Sequence, residues 1–249
     1  MDEDIQQQLF WRLRRSASAS SVQSSLPVLF FGDIFNASIA TVGLNPSDKE
    51  YLDKHGLELA DSRRRFETLR SLGAVDRSTL TDEQCSRAIM TMCTYYKPGK
   101  PVYSWFNHLD RVTRGMGFSY STGQIVHLDL VQEATTPTWS RLSKVSPDEF
   151  AELRNKDISF LKWELKTFHF QYVVCNGKTV LDQVGNLIGF NEAGSGAYAN
   201  LKWRVGRSDI RQQETWVVGW NLPLAQPTGL RTEDEYKLGA ILFGECKTI

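Results

Sequence analysis

Three short loops in this 249-residue chain carry side chains able to do chemistry, and each follows an apolar run that reads as a β-strand. The first is Gly43-Leu44-Asn45-Pro46-Ser47, directly after the run IATV. Pro46 restricts Asn45 to an extended backbone, and Gly43 permits close backbone approach. An amide held rigidly at a strand end can orient a water or read a hydrogen-bonding edge, although it cannot remove a proton as a carboxylate does. The same residues also make an ordinary Asn-Pro turn, since both types are common in turns.

The second loop is His127-Leu128-Asp129-Leu130-Val131, leading into Ala134-Thr135-Thr136-Pro137-Thr138-Trp139. A carboxylate within an apolar strand is costly to bury unless it is bonded or paired. Asp129 therefore either faces a ligand or caps the following loop. His127 alternates with it and shares its face, where a satisfied structural histidine is the simpler reading. The third loop, residues 219–229 (GWNLPLAQPTG), is apolar and stiffened by Pro223 and Pro227. It suits either a wedge pushed between bases or a buried connection.

The elements that must position these loops are legible from pattern. Runs at 28–31 and 38–42 read as two strands with a turn between them, and 124–131, 172–175 and 216–220 read as further strands. Helical spacing marks 5–15, 63–72, 81–96, 105–115, 147–168, 178–187 and 232–243. Thr81 and Ser146-Pro147 supply helix start signals. Residues 189–200 are rich in Gly, Ala and Asn and read as a surface loop. Residues 16–25 (SASASSVQSS) read as a flexible Ser-rich linker with nothing to bury. The expected organisation is an N-terminal helix and linker over 1–25, followed by one domain over 26–249. Strand–loop–helix alternation predicts an α/β fold: a three-layer αβα domain whose central sheet is mainly parallel and four-stranded, with an N-terminal β extension. Functional groups in such sheets gather beyond the carboxyl ends of the strands.

Composition excludes several classes. Apolar residues make up 41% and charged residues 23%, so the chain is not disordered as a whole. No uninterrupted apolar run approaches the roughly 18 residues of a membrane span. Lys+Arg and Asp+Glu are both 29, so nucleic acid would be met by a local basic patch rather than by bulk charge. Cys85, Cys93, Cys175 and Cys246 form no CxxC pair and no zinc-ligand spacing. No metal, iron–sulfur cluster or other cofactor is expected. Asp2, Glu3 and Asp4 precede any apolar residue, unlike the order of a secretory signal, so a cytoplasmic location is expected; a monomer is expected as well.

Taken together, the loops resemble the uracil-DNA glycosylase superfamily. GLNPS resembles its first motif, G-[MIQE]-[NDA]-P-[GSY], in the Asn-bearing form of the mismatch-specific and single-strand-selective enzymes. RRFETL follows at nearly the separation seen in the mismatch-specific enzymes, then HLDLVQEATTPTW, VVCNG and GWNLPL. The set is similar to a bacterial branch of the superfamily and spans about residues 26–244.

The resemblance implies a monofunctional DNA glycosylase that flips a pyrimidine out of the helix and hydrolyses its N-glycosidic bond, leaving an abasic site. Asn45 matches the water-positioning residue. Gly43, Leu44, Ser47 and Asp129 match the base pocket, and Tyr51 is one candidate to stack on the flipped base, beside His55, Leu57 and Leu59. Leu222, Pro223 and Gln226 match the wedge; Arg63, Arg64, Arg65 and Arg231 are the candidates for phosphate contact, since the motif order brings them near the cleft. The third motif often begins with His; the nearest match here is Asn221, a neutral donor to the leaving base. Strict uracil enzymes place Tyr where Ser47 stands, so the pocket is expected to be open at C5 of the pyrimidine. Asp129, accepting only, favours an amino group such as cytosine N4. A bulky modified cytosine, such as the glucosylated hydroxymethylcytosine of phage DNA, fits both features, and bacterial glycosylases of this superfamily can serve in antiviral defence. A uracil or mismatch repair enzyme, a non-catalytic nucleic-acid-binding relative and a hydrolase of free nucleosides or nucleotides are the competing readings.

Overall fold

The structure is a computed structural model that describes residues 2–210, 213–224 and 229–248. In chain order its helices are α1 (Glu3–Arg14), α2 (Leu69–Leu72), α3 (Asp82–Cys93), α4 (Phe106–Gly115), α5 (Trp139–Val145), α6 (Pro147–Thr167), α7 (Lys178–Ile188) and α8 (Thr232–Thr248). Its strands are β1 (Ile39–Gly43), β2 (Ile125–Asp129), β3 (Tyr172–Asn176), β4 (Asn191–Tyr198), β5 (Leu201–Ile210) and β6 (Gln213–Trp220). Two compact units result. Met1–Phe31, Leu44–Tyr103 and Asp129–Leu161 form the first; Gly32–Gly43, Ser104–Leu128 and Lys162–Ile249 form the second.

The second unit is α/β and holds the sheet, in the order β2-β1-β3-β6-β5-β4. β1 and β2 are buried along their whole length, so apolar residues dominate both, with His127 and Asp129 as the polar exceptions in β2. β1 pairs parallel with β3, and β3 parallel with β6, so Gly43, Asn176 and Trp220 end their strands at one edge. β5 runs antiparallel to β6, and β4 antiparallel to β5. The four-stranded, mainly parallel sheet expected from the sequence is therefore a six-stranded mixed one. The difference lies in residues 191–210. Glycines there do not make a loop; they make room. A Cβ at Gly196 would lie 2.4 Å from the Trp203 ring, so the indole occupies the space that a side chain would take. His127 is a buried structural residue, with Nδ1 2.8 Å from Thr41 Oγ1 and its ring edge-on to Phe106 and Trp105.

In the first unit, residues 26–31 form no strand. Leu26, Val28, Leu29, Phe30 and Phe31 are all buried, so the segment threads the core, and Val28 N–H bonds to the Gln132 carbonyl. A run buried on every side has apolar character without sheet pairing, and periodicity does not separate the two. The helix expected over 63–72 is a 3-10 turn, Asp61–Arg63, followed by extended Arg64 and then α2, where Thr68 and Ser71 cap each other. Thr81 and Gln84 form the same capping box at the start of α3. The Ser-rich segment 16–25 is held in place. Val22 N–H bonds to the Ala134 carbonyl, Thr136 N–H to Ser20, and Leu69 N–H to Ser24, while Ser20, Val22 and Ser25 are buried. Hydroxyls and backbone, rather than apolar groups, supply its attachments, and a composition-based reading does not register them.

Among the described residues no helix is long and apolar enough to cross a membrane, and no group of three potential metal ligands gathers.

Candidate functional site

Asn45 lies in the first unit and is half-buried. Its Nδ2 donates to the Pro46 carbonyl at 3.0 Å, the Glu133 carbonyl at 3.2 Å and Thr135 Oγ1 at 3.4 Å. Carbonyl oxygens only accept, so they fix which end of the amide faces them. Oδ1 is thereby turned away from this cluster and accepts nothing among the described residues. The loop carrying Asn45 is tied to the 129–135 segment a second time, where Val131 N–H bonds to the Leu44 carbonyl at 3.0 Å. The first two loops singled out from the sequence are thus laced side by side.

Beneath the Asn45 contact lies a buried charge cluster. Glu133 receives Arg77 Nη1 at 2.8 Å and Nη2 at 3.0 Å, one to each oxygen. Arg12 reaches it at 3.3 Å and Asp157 at 2.9 Å, and Ser21 Oγ donates to Glu133 at 2.9 Å. Burial opposes ionisation of Glu133, but the two guanidiniums outweigh it and hold the carboxyl at about 2. Arg77 also donates to the Ser25 carbonyl, and Asp157 accepts from Gln132 N–H.

Asp129 is buried at the end of β2, and its carbonyl accepts from Gln132 Nε2. Its charge bears on Glu50, a buried carboxyl five residues past Asn45. Burial pushes Glu50 up to about 8; Arg65 and a hydrogen bond from Tyr95 pull down, and Asp129 pushes further up. Two carboxyls in one dry neighbourhood do not both ionise readily.

Other candidates have structural duties. Ser47 caps the 3-10 turn Asp48–Glu50, accepting from Lys49 N–H at 3.1 Å and donating to Asp48 at 3.2 Å. Tyr51, a candidate to stack on a base, is instead sealed in the core, 2% exposed, with its hydroxyl on the Leu26 carbonyl and its ring against Phe66. His55 and Leu57 are exposed and Leu59 is buried. Arg65, a candidate for phosphate, is an internal pin: it donates to the carbonyls of Lys49 and Pro101 and lies over the Tyr103 ring. Arg64 is half-buried beside Glu67. Arg63 is exposed, with Asp53 only at 4.0 Å.

The third loop lies in the second unit. Asn221 Oδ1 accepts from Lys202 N–H at 2.8 Å, which leaves Nδ2 as its open donor among the described residues. Leu222 is exposed, and Pro223 packs on Gly177, where a Cβ would lie 3.0 Å from its ring. Leu224 is buried, with its N–H on Asn176 Oδ1, which also holds the Trp220 indole N–H. The described part of the loop is thus anchored at Asn176 and Gly177, with Leu222 exposed. Arg231 is exposed just before α8. Gln226 and Pro227 lie outside the described residues.

Sequence reasoning missed Glu133, Arg77, Arg12 and Glu50. One signal was present: Gln132-Glu133 follows directly on Leu130-Val131, at the end of a mostly apolar segment, where a charged residue needs a partner. The sequence matches no protein-family model, and no curated protein is similar to it.

Proposed function

We propose that the protein is a monofunctional DNA glycosylase of the uracil-DNA glycosylase type, acting on an altered pyrimidine. The observation that carries this reading is the half-buried Asn45 amide, anchored through Nδ2 by three acceptors, while Oδ1 accepts nothing among the described residues. An oxygen fixed in that way holds a water by accepting a hydrogen bond from it, which aims the water's lone pair at an electrophile. In the reaction the C1′–N bond breaks with its electron pair leaving on the base. The water oxygen bonds to C1′, and its proton passes to solvent or to the departing base. The developing cationic sugar supplies much of the drive, so no general base is required at Asn45.

The strand order supports the reading at a coarser level. The second unit is α/β, and β1, β3 and β6 run parallel with their carboxyl ends at one edge of the sheet. Asp129 favours a base with an exocyclic amine, and the small Ser47 favours one substituted at C5. Together they point to a modified cytosine, the bulky glucosylated hydroxymethylcytosine of phage DNA being the member that most needs an open C5 side. Asn221 Nδ2 is the candidate donor to the leaving base, and exposed Leu222 the candidate wedge.

The test is a panel of DNAs containing uracil, thymine mismatches, oxidised pyrimidines and glucosylated cytosines, treated with protein and then alkali, with released bases identified by mass spectrometry. Strand breaks and one free base are expected, and both vanish in Asn45→Ala. Salt-sensitive binding without release of any base would select the non-catalytic reading instead.

A further inference from the structure

We propose that Glu133 is a positioning residue for Asn45, and that Arg77 and the N-terminal helix α1 belong to the site through it. The consequence for catalysis rests on the glycosylase reading; the consequence for the Asn45 side chain does not.

The chain of contacts is short. Asn45 Nδ2 is held by the Glu133 carbonyl and by the hydroxyl of Thr135, two residues on. The position of that backbone is set by the Glu133 side chain, which is gripped from both sides. Arg77 bonds to it with two parallel N–H groups, the geometry in which a guanidinium constrains direction as well as distance. Arg12, from α1, bonds to Glu133 and Asp157 together, and Asp157 holds the preceding residue through Gln132 N–H. Arg12 Nε also reaches Gln132 Oε1 at 3.4 Å. Ser21 closes the ring from the Ser-rich segment. Arg12, Arg77, Glu133 and Asp157 are all 1–2% exposed.

Burying four charges is a poor route to stability, because apolar residues of similar size generally serve as well or better. What such a cluster does supply is a single permitted geometry. Here that geometry ends on the amide whose orientation matters most. Residues 1–25 are on this account part of the site's frame rather than an appendage.

The test uses full-length 15N-labelled protein with two substitutions. Arg77→Lys keeps the charge but loses the fork. Ser21→Ala removes one Glu133 contact and leaves every charge paired. The Asn45 side-chain NH2 signals, assigned by their loss in Asn45→Asp, report on positioning without any reaction. In wild type they should be dispersed and slow to exchange. In Arg77→Lys they should move toward the free-amide position and exchange faster, and in Ser21→Ala they should move less, in the same direction. On the DNA that releases a base, single-turnover rate should fall about 100-fold for Arg77→Lys, the size expected of a mispositioned group. DNA affinity should stay within about twofold, because no DNA-contacting group is altered. Unmoved Asn45 signals in either folded variant would overturn the proposal. Signals that move while wild type releases no base from any DNA would retain the positioning role and remove the glycosylase reading. Should Arg77→Lys fail to fold, Ser21→Ala decides alone.

Discussion

Glu50 and Glu133 are both buried carboxyls of the first unit, yet their surroundings drive them in opposite directions. Glu133 sits between guanidiniums at about 2, while Glu50, dry and beside Asp129, sits at about 8. The folded protein therefore binds fewer protons than the unfolded chain at Glu133 and more at Glu50. The Glu133 contribution is complete above an unfolded value near 4.5 and is lost as pH falls toward 2. The Glu50 contribution is complete below 4.5 and is lost as pH rises toward 8, on the order of several kcal/mol in all. Glu50→Gln, which mimics the protonated form, should match wild type in Tm near pH 4 and exceed it increasingly up to pH 8. Calorimetric Tm values taken across that range check this, and parallel curves for the two proteins would show that Glu50 is ionised in the fold. Single residues were legible in the sequence to the extent that their own backbone chemistry spoke for them. Asn45 was conspicuous because Pro46 stiffens it. Tyr51 was not separable from His55, because a sequence gives an aromatic no direction, and only the packing on Phe66 shows that it points inward.

The elements divide in the same way. Strands buried on both faces, such as β1 and β3, announce themselves by unbroken apolar runs, and capped helices such as α3 by their first residues. The hairpin of β4 and β5 did not, although Leu201, Trp203 and Val205 alternate with Lys202 and Arg204 in the pattern of a half-buried strand. Glycine obscured it. Glycine elsewhere marks helix contacts of a different strictness. On α8, a Cβ at Gly239 would lie 1.9 Å from the Val112 carbonyl oxygen of α4, and one at Gly115 would lie 2.0 Å from that of Tyr236. The two helices touch backbone to backbone. Gly239→Ala must push them apart, at a cost of about 2–3 kcal/mol or more. That corresponds to a Tm lower by roughly 5–10 °C for a chain of this size. Gly244, one turn on in the same helix, has nothing within 4 Å of its would-be Cβ. Gly244→Ala should raise Tm instead, through about 0.5–1 kcal/mol of backbone entropy. Equal effects of the two substitutions would mean that α4 and α8 do not meet at these glycines.

Over the whole molecule, charge balances at 29 against 29, so any attraction to DNA is a matter of which arginines remain to offer. Several of them are engaged by the protein's own carboxylates and carbonyls, two in full burial. Arg12 and Arg77 are buried in the Glu133 cluster, Arg65 pins two carbonyls, Arg111 bonds to Glu235, and Arg204 and Arg207 pair with Glu192 and Glu214. Of the four arginines that the sequence offered for phosphate contact, Arg63 and Arg231 are exposed, and Arg64 and Arg65 are not. Two phosphate contacts release about two counterions, so log affinity for duplex DNA should fall with log salt at a slope near −2. Between 50 and 200 mM salt that is a loss of about tenfold, far gentler than a protein gripping by six to ten phosphates would show. Arg63→Ala and Arg231→Ala should each flatten the slope by about one, whereas Arg65→Ala should lower Tm and leave the slope unchanged. Fluorescence anisotropy over a salt series measures all four proteins on one oligonucleotide. A wild-type slope of −5 or steeper would show that DNA is held by groups other than these, and one near zero that the duplex is not held by its phosphates. On the proposed glycosylase reading, a slope near −2 is the expected outcome, because selection of one altered base then rests on insertion and fit more than on phosphate charge.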